Sequence, residues 1–119
     1  MKNKISRISY GKNVYNFEEI NAVLKTLKNS TQMGASVSKF ESKIAKIFNK
    51  KFGLMVNSGS SALILALKVL NLKKNSEVII PCLNFGTAIS SIVLNNLKPV
   101  FVDCKVDTLQ IDISKIENK

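Results

Sequence analysis

Hydrophobic and polar positions change period along this chain. Between residues 16 and 27 the apolar side chains fall at Ile20, Val23, Leu24 and Leu27, the spacing of one helical face. Asn16 stands where an N-cap belongs and Glu19 follows three residues later, so "NFEEINAVLKTL" predicts an amphipathic helix opened by a capping box. The polar stretch "NSTQMGAS", with Gly34, breaks it and reads as an exposed connector. Ser38 and Glu41 repeat the capping-box spacing and lead into Phe40, Ile44, Ile47 and Phe48, which predicts a second amphipathic helix.

From Phe52 onward the pattern shifts. "FGLMV" is a short apolar strand candidate, "SALILALKVL" a helix, "EVIIP" a strand, "GTAISSIVLNN" a helix and "PVFVDC" a strand. Strands that are apolar on both faces and alternate with helices predict a parallel sheet covered by helices, an α/β layer architecture. The chain thus divides into a helical segment, 1–50, and the start of an α/β domain, 51–119. At the end, "IDISKIENK" places Asp112 or Ser114 to cap a further helix that stops before two turns are complete, so the expectation is a truncated reading frame.

Composition narrows the partners. The 119 residues carry a formal charge of +10, but the lysines are spread along the chain and the only arginine is Arg7. The aromatic residues do not alternate with positive charge as a base-stacking platform requires, so neither nucleic acid nor a membrane is expected as a partner. "MKNKISRISYGKN" has no apolar stretch behind its charges and is not read as a secretory signal; the expected location is cytoplasmic. Cys82 and Cys104 lack metal-ligand spacing and histidine is absent, so no metal site is expected and the cysteines read as two small buried thiols.

The densest chemistry lies in "VNSGSSALILAL", where Asn57, Ser58, Gly59, Ser60 and Ser61 precede an almost wholly apolar helix. The first N–H groups of a helix lack internal partners and its dipole favours anions there. Gly59 lets the backbone approach a ligand, Ser60 and Ser61 offer N–H donors, and the hydroxyls add hydrogen bonds suited to a phosphate. The run lacks the Gly-Lys-Ser/Thr ending of a Walker loop, and it is neither G-x-G-x-x-G nor G-x-S-x-G. Taken alone, it fits a Ser-rich helix cap equally well.

"VNSGSSA", preceded by "GASVSKFESKIAKIF" and followed by "VIIPCLNFGTAISSIVLNNLKPVFVDCKVDTLQID", resembles the DegT/DnrJ/EryC1/StrS family of pyridoxal-phosphate-dependent sugar aminotransferases over roughly residues 10–119. The resemblance implies that Ser58, Gly59, Ser60 and Ser61 bind the phosphate of pyridoxal 5'-phosphate or pyridoxamine 5'-phosphate. It also implies that Phe85 stacks on the cofactor ring, a position otherwise read as core at a strand end. Gly34 and Glu41 match the family's "G..V..FE" stretch, with Gly34 near the substrate and Glu41 structural, and Thr31 is placed at the substrate cleft. Asp103 matches the Asp of "VFVDVD", whereas Cys104 and Lys105 depart from that pattern, as do Thr87 and Ala88 from the usual order after the aromatic.

The same resemblance implies the N-terminal part of a fold type I transferase large domain, three-layer α/β/α and incomplete in this chain. Transamination needs a lysine that holds the cofactor and shuttles a proton, with an acidic group facing the pyridine nitrogen. In the family both lie beyond residue 119, so no catalytic residue is expected here and the chain alone is expected to be inactive. The implied partners are a keto nucleotide-sugar of surface-polysaccharide or deoxyamino-sugar synthesis, glutamate as amino donor, and a second subunit in a homodimer. Two alternatives stand: a pyridoxamine-phosphate-dependent nucleotide-sugar 3-dehydratase, in which histidine replaces that lysine, and a noncatalytic phosphate-binding α/β module. The strand "FGLMV" would lack its sheet neighbours, so residues 1–119 alone are expected to fold poorly or associate.

Overall fold

A computed structural model of the protein describes residues 9–29, 31–32 and 34–117. Most of the opening stretch read above for a secretory signal, and the last two residues, lie outside the described residues. The chain forms two compact units, Met1–Gly53 and Leu54–Lys119.

The first unit holds α1 (Phe17–Asn29) and α2 (Ala35–Ile47). The capping box at α1 forms from one side, with the Asn16 N–H donating to Glu19 Oε2 at 2.6 Å. That bond holds the Glu19 carboxyl below the usual range. Although α1 has the predicted apolar stripe, none of its residues is buried. The start of α2 differs from expectation, because the helix opens at Ala35 with Gly34 as N-cap and no side-chain cap. The Ser38 N–H already donates to the Gly34 carbonyl at 3.1 Å, so Ser38 lies one turn inside and does not cap. Gly53 is required for packing: a Cβ there would lie 2.6 Å from the Glu41 carbonyl oxygen.

The second unit runs α3 (Gly59–Val69), β1 (Glu77–Pro81), α4 (Gly86–Leu94), β2 (Lys98–Val102) and a 3-10 turn, Ile113–Lys115. The strands pair in parallel from Glu77 opposite Lys98 to Pro81 opposite Val102, with α4 as the crossover. Val78 and Ile80 turn one face of β1 into a cluster with Ile92 and Leu97, joined by Leu67, Ala88 and Ile89. Asn95 ties the helices together, its Nδ2 donating to the Ile64 carbonyl at 3.1 Å and the Ser91 carbonyl at 2.8 Å.

Asparagines end the helices. Asn49, Asn71 and Asn96 follow the C-caps of α2, α3 and α4 with φ of 50°, 47° and 57°, the left-handed region that asparagine tolerates. After α4 the turn is a complete Schellman motif: Leu97 N–H donates to Ile92 O at 3.1 Å and Asn96 N–H to Val93 O at 2.9 Å. Leu97 and Ile92 meet in the core, so one local motif both ends α4 and aims the chain into β2.

Two sequence expectations are corrected. Residues 52–56, the "FGLMV" run, form no strand, since a strand exists only through a ladder and β1 and β2 pair with each other. Phe52 is 80% exposed and Leu54 77%. Cys82 is exposed where the chain leaves β1, and Cys104 is half-buried; both are free thiols.

Candidate phosphate-binding turn

Ser58 is the N-cap of α3, in extended conformation, and its Oγ accepts the Ser61 N–H at 3.1 Å. The Ser58 carbonyl accepts the Ala62 N–H at 3.1 Å. That bond is the first regular one of the helix, so of the four N–H groups without a partner inside it, those of Ser58 to Ser61, the cap satisfies that of Ser61. Among the described residues nothing accepts the N–H groups of Gly59 and Ser60. Ser61 therefore departs from its expected role, because its N–H belongs to the cap. A Cβ built on Gly59 would meet nothing within 4 Å, so packing does not demand glycine and the space on its side-chain side is free. Open N–H groups on a helix dipole fit the phosphate of a cofactor.

The hydroxyls add a second layer. Ser61 Oγ donates to Asn57 Oδ1 at 2.7 Å, and Ser58 Oγ donates to Ser61 Oγ at 3.1 Å. Sequence reasoning included Asn57 in the polar run without giving it a role; an Asn four residues before a Ser at a helix start was the available signal.

Phe85 is the N-cap of α4 and is 76% exposed, which removes the reading of a core residue at a strand end. Its N–H donates to Asn84 Oδ1 at 2.7 Å, an Asx contact that fixes the backbone as it enters α4. Both the phosphate turn and Phe85 therefore sit at helix starts in the second unit, with Phe85 four residues beyond the carboxyl end of β1. Ligands of open α/β sheets bind at such carboxyl ends. Asp103, just beyond β2, pairs with Lys115 at 2.9 Å and raises that ammonium's pKa, first through the hydrogen bond and then through charge.

Thr31 and Gly34 belong to the first unit. There they line, with Ala22, Lys25, Thr26 and Asn29, an open cavity of about 540 Å³. A Cβ on Gly34 would have only an ordinary contact, at 3.7 Å from the Gln32 carbonyl, so the chain itself does not require glycine there. Among the described residues no helix is long and apolar enough to cross a membrane.

The likeness to known proteins covers nearly the whole chain. It is 35% identical over 91 residues to GDP-4-keto-6-deoxy-D-mannose 3-dehydratase of Escherichia coli O55:H7, a match spanning 71% of this chain and 24% of the relative. It is also 35% identical over 86 residues to GDP-perosamine synthase of Escherichia coli O157:H7, spanning 72% and 24%. The fold superposes on E. coli GDP-4-keto-6-deoxy-D-mannose-3-dehydratase with bound hydrated PLP at a TM-score of 0.83 and 31% identity, covering 90% of this chain and 29% of that one. The chain thus spans about a quarter of the length of these curated relatives. It is a mixed α/β structure matching part of a pyridoxal-phosphate-dependent fold, homologous to nucleotide-sugar aminotransferases and 3-dehydratases. The model of the DegT/DnrJ/EryC1/StrS aminotransferase family matches residues 14–119, and the chain belongs to that family.

Proposed function

We propose that this chain supplies the cofactor-phosphate turn and the ring-stacking side chain of a pyridoxal-phosphate-dependent aminotransferase that acts on a keto nucleotide-sugar. The product would enter surface polysaccharide or deoxyamino sugars. The observation that carries the reading is the pair of open N–H groups at Gly59 and Ser60, with free space on the side-chain side of Gly59, within the segment that matches the family.

The roles follow from the chemistry. Gly59 and Ser60 donate to the phosphate, Ser58 and Ser61 hold the turn, and Phe85 lies against the cofactor ring and keeps water off that face. The bound cofactor supplies an electron sink for the substrate carbon that loses its proton. Thr31 and Gly34 contact the sugar substrate. Segment 1–50 is an N-terminal helical segment and 51–119 the start of the cofactor domain. No lysine among these 119 residues is assigned the proton transfer, so this stretch alone is inactive and works within a longer cytoplasmic protein. That protein pairs with a second copy and takes the amino group from glutamate.

The 3-dehydratase reading stands beside it, because the chain is as similar to GDP-4-keto-6-deoxy-D-mannose 3-dehydratase as to GDP-perosamine synthase, 35% identical to each. The two differ in one residue outside this chain. The experiment is to read the DNA on the 3' side of the Lys119 codon in all three frames. A lysine in an "S-F-x-x-x-K" setting supports the aminotransferase and a histidine there the dehydratase. If neither is present, the chain is a phosphate-binding module and the enzymatic reading fails.

A further inference from the structure

We propose that Asn57 is a positioning residue for the phosphate turn. By accepting the Ser61 hydroxyl proton it commits the hydroxyl protons of Ser58 and Ser61 to one another and to itself, leaving the ligand to the N–H groups of Gly59 and Ser60 and the Ser60 hydroxyl. The inference rests on the cofactor reading above and deepens it.

The hydroxyl protons of the run fix the direction of its bonds. A serine hydroxyl carries one, and that of Ser61 goes to Asn57 Oδ1 at 2.7 Å. Ser61 has none left to donate, so the 3.1 Å contact between the two hydroxyls is donated by Ser58. Ser58 Oγ meanwhile accepts the Ser61 N–H at 3.1 Å. The hydroxyl protons of Ser58 and Ser61 are therefore both used within the chain Ser58 to Ser61 to Asn57, and each bond in it polarises the next. Ser60 is the one serine of the run whose hydroxyl has no partner among the described residues, and its N–H is open as well. Within α3 itself the free donors of the first turn are thus the Gly59 and Ser60 N–H groups and the Ser60 hydroxyl, on a turn whose cap is already locked. A turn held in its binding form before the ligand arrives loses less entropy on binding than a loose one. Asn57 acts only through Ser61.

The test uses the polypeptide translated from its complete gene, with pyridoxamine 5'-phosphate and phosphate-free pyridoxamine as probes in equilibrium binding. Ser60→Ala is expected to weaken the phosphorylated probe roughly tenfold, as loss of one hydrogen bond to a charged group implies. Asn57→Ala is expected to weaken it roughly three- to tenfold while leaving pyridoxamine unchanged. In a Ser61→Ala background the Asn57→Ala loss should vanish, since the relay is already gone. Equal loss in both backgrounds, no loss at all, or a loss shared by pyridoxamine and tracking a fall in melting temperature would each overturn the proposal. If Gly59→Val and Ser60→Ala also leave the phosphorylated probe untouched, the phosphate-turn reading itself fails. If those two weaken it and Asn57→Ala does not, only the role of Asn57 falls.

Discussion

Gly59 and Gly53 set the proposed binding role of one glycine against the packing role of another. The absent side chain of Gly59 would touch nothing, whereas at Gly53 a Cβ would collide with the Glu41 carbonyl at 2.6 Å. The two glycines therefore predict opposite phenotypes. Gly59→Val should leave the melting temperature nearly unchanged and weaken a phosphorylated cofactor about tenfold or more, because a branched side chain fills the space beside two charge-assisted donors, each contributing about 1.5–3 kcal/mol. Gly53→Ala should do the reverse, destabilising the fold by about 1–3 kcal/mol in a denaturant titration while cofactor affinity is unchanged. Phe85→Ala belongs with the first class but is milder, since an offset-stacked ring contributes about 0.5–1.5 kcal/mol beyond its buried area; cofactor fluorescence on titration measures it. A large loss of stability in Phe85→Ala would contradict its exposed position at the start of α4.

At the scale of elements, the helix ends hold testable local energetics. Asn96 sits at φ 57° between α4 and β2, so Asn96→Ala should cost about 1 kcal/mol, whereas Asn96→Gly, which adopts that conformation freely, should be near neutral. Thermal melts of the two variants decide it. The 3-10 turn is pH-sensitive by the same local logic. The Asp112 carboxyl accepts from the Ser114 hydroxyl at 2.6 Å and the Ser114 N–H at 3.1 Å, and the hydroxyl bond is the main reason its pKa is lowered. A lowered carboxyl stabilises the fold fully above its ordinary pKa and loses that contribution as pH falls through the depressed value. Lys115, raised mainly by the Asp103 hydrogen bond, behaves oppositely: its contribution is complete below the ordinary lysine pKa and lost as pH rises through the raised one. Both groups are exposed, so both effects should shrink with added salt, and amide exchange at Ser114 followed against pH reports the first. These elements also show what could be read in advance. The periods of α1, α3, α4, β1 and β2 are legible because each repeats its apolar positions at the spacing of its element, in α1 even though that face stays exposed. The start of α2 is not, because a capping-box spacing at Ser38 says nothing about whether Gly34 opens the helix one turn earlier. Nor is the fate of "FGLMV", since an apolar run becomes a strand only where a ladder partner exists. In the candidate site, the serines and Gly59 are legible from composition. The direction of the hydroxyl chain through Asn57 is set by the folded turn and has no signature in the sequence.

For the molecule as a whole, the imbalance between apolar residues and core decides how the chain behaves alone. Among the described residues the buried apolar set is Ala45, Ile80, Ile92, Leu97 and Val102, while the stripe Ile20, Val23, Leu24 and Leu27 on α1 stays exposed, as do Ile79 and Phe101 on the sheet. Burial contributes about 25 cal/mol per Å² of apolar surface, and ordering the backbone opposes it at about 1–2 kcal/mol per residue. So small a core leaves little margin. The sheet compounds the problem, because two parallel strands paired only with each other leave both outer edges open among the described residues, and open apolar edges recruit other chains. The 119 residues expressed by themselves should therefore associate as concentration rises in sedimentation velocity, bind a hydrophobic dye strongly and melt over a broad range. A monomer that excludes the dye and melts in one sharp transition would show that these residues are sufficient for a fold. The noncatalytic phosphate-binding module would then become the better account of what they do.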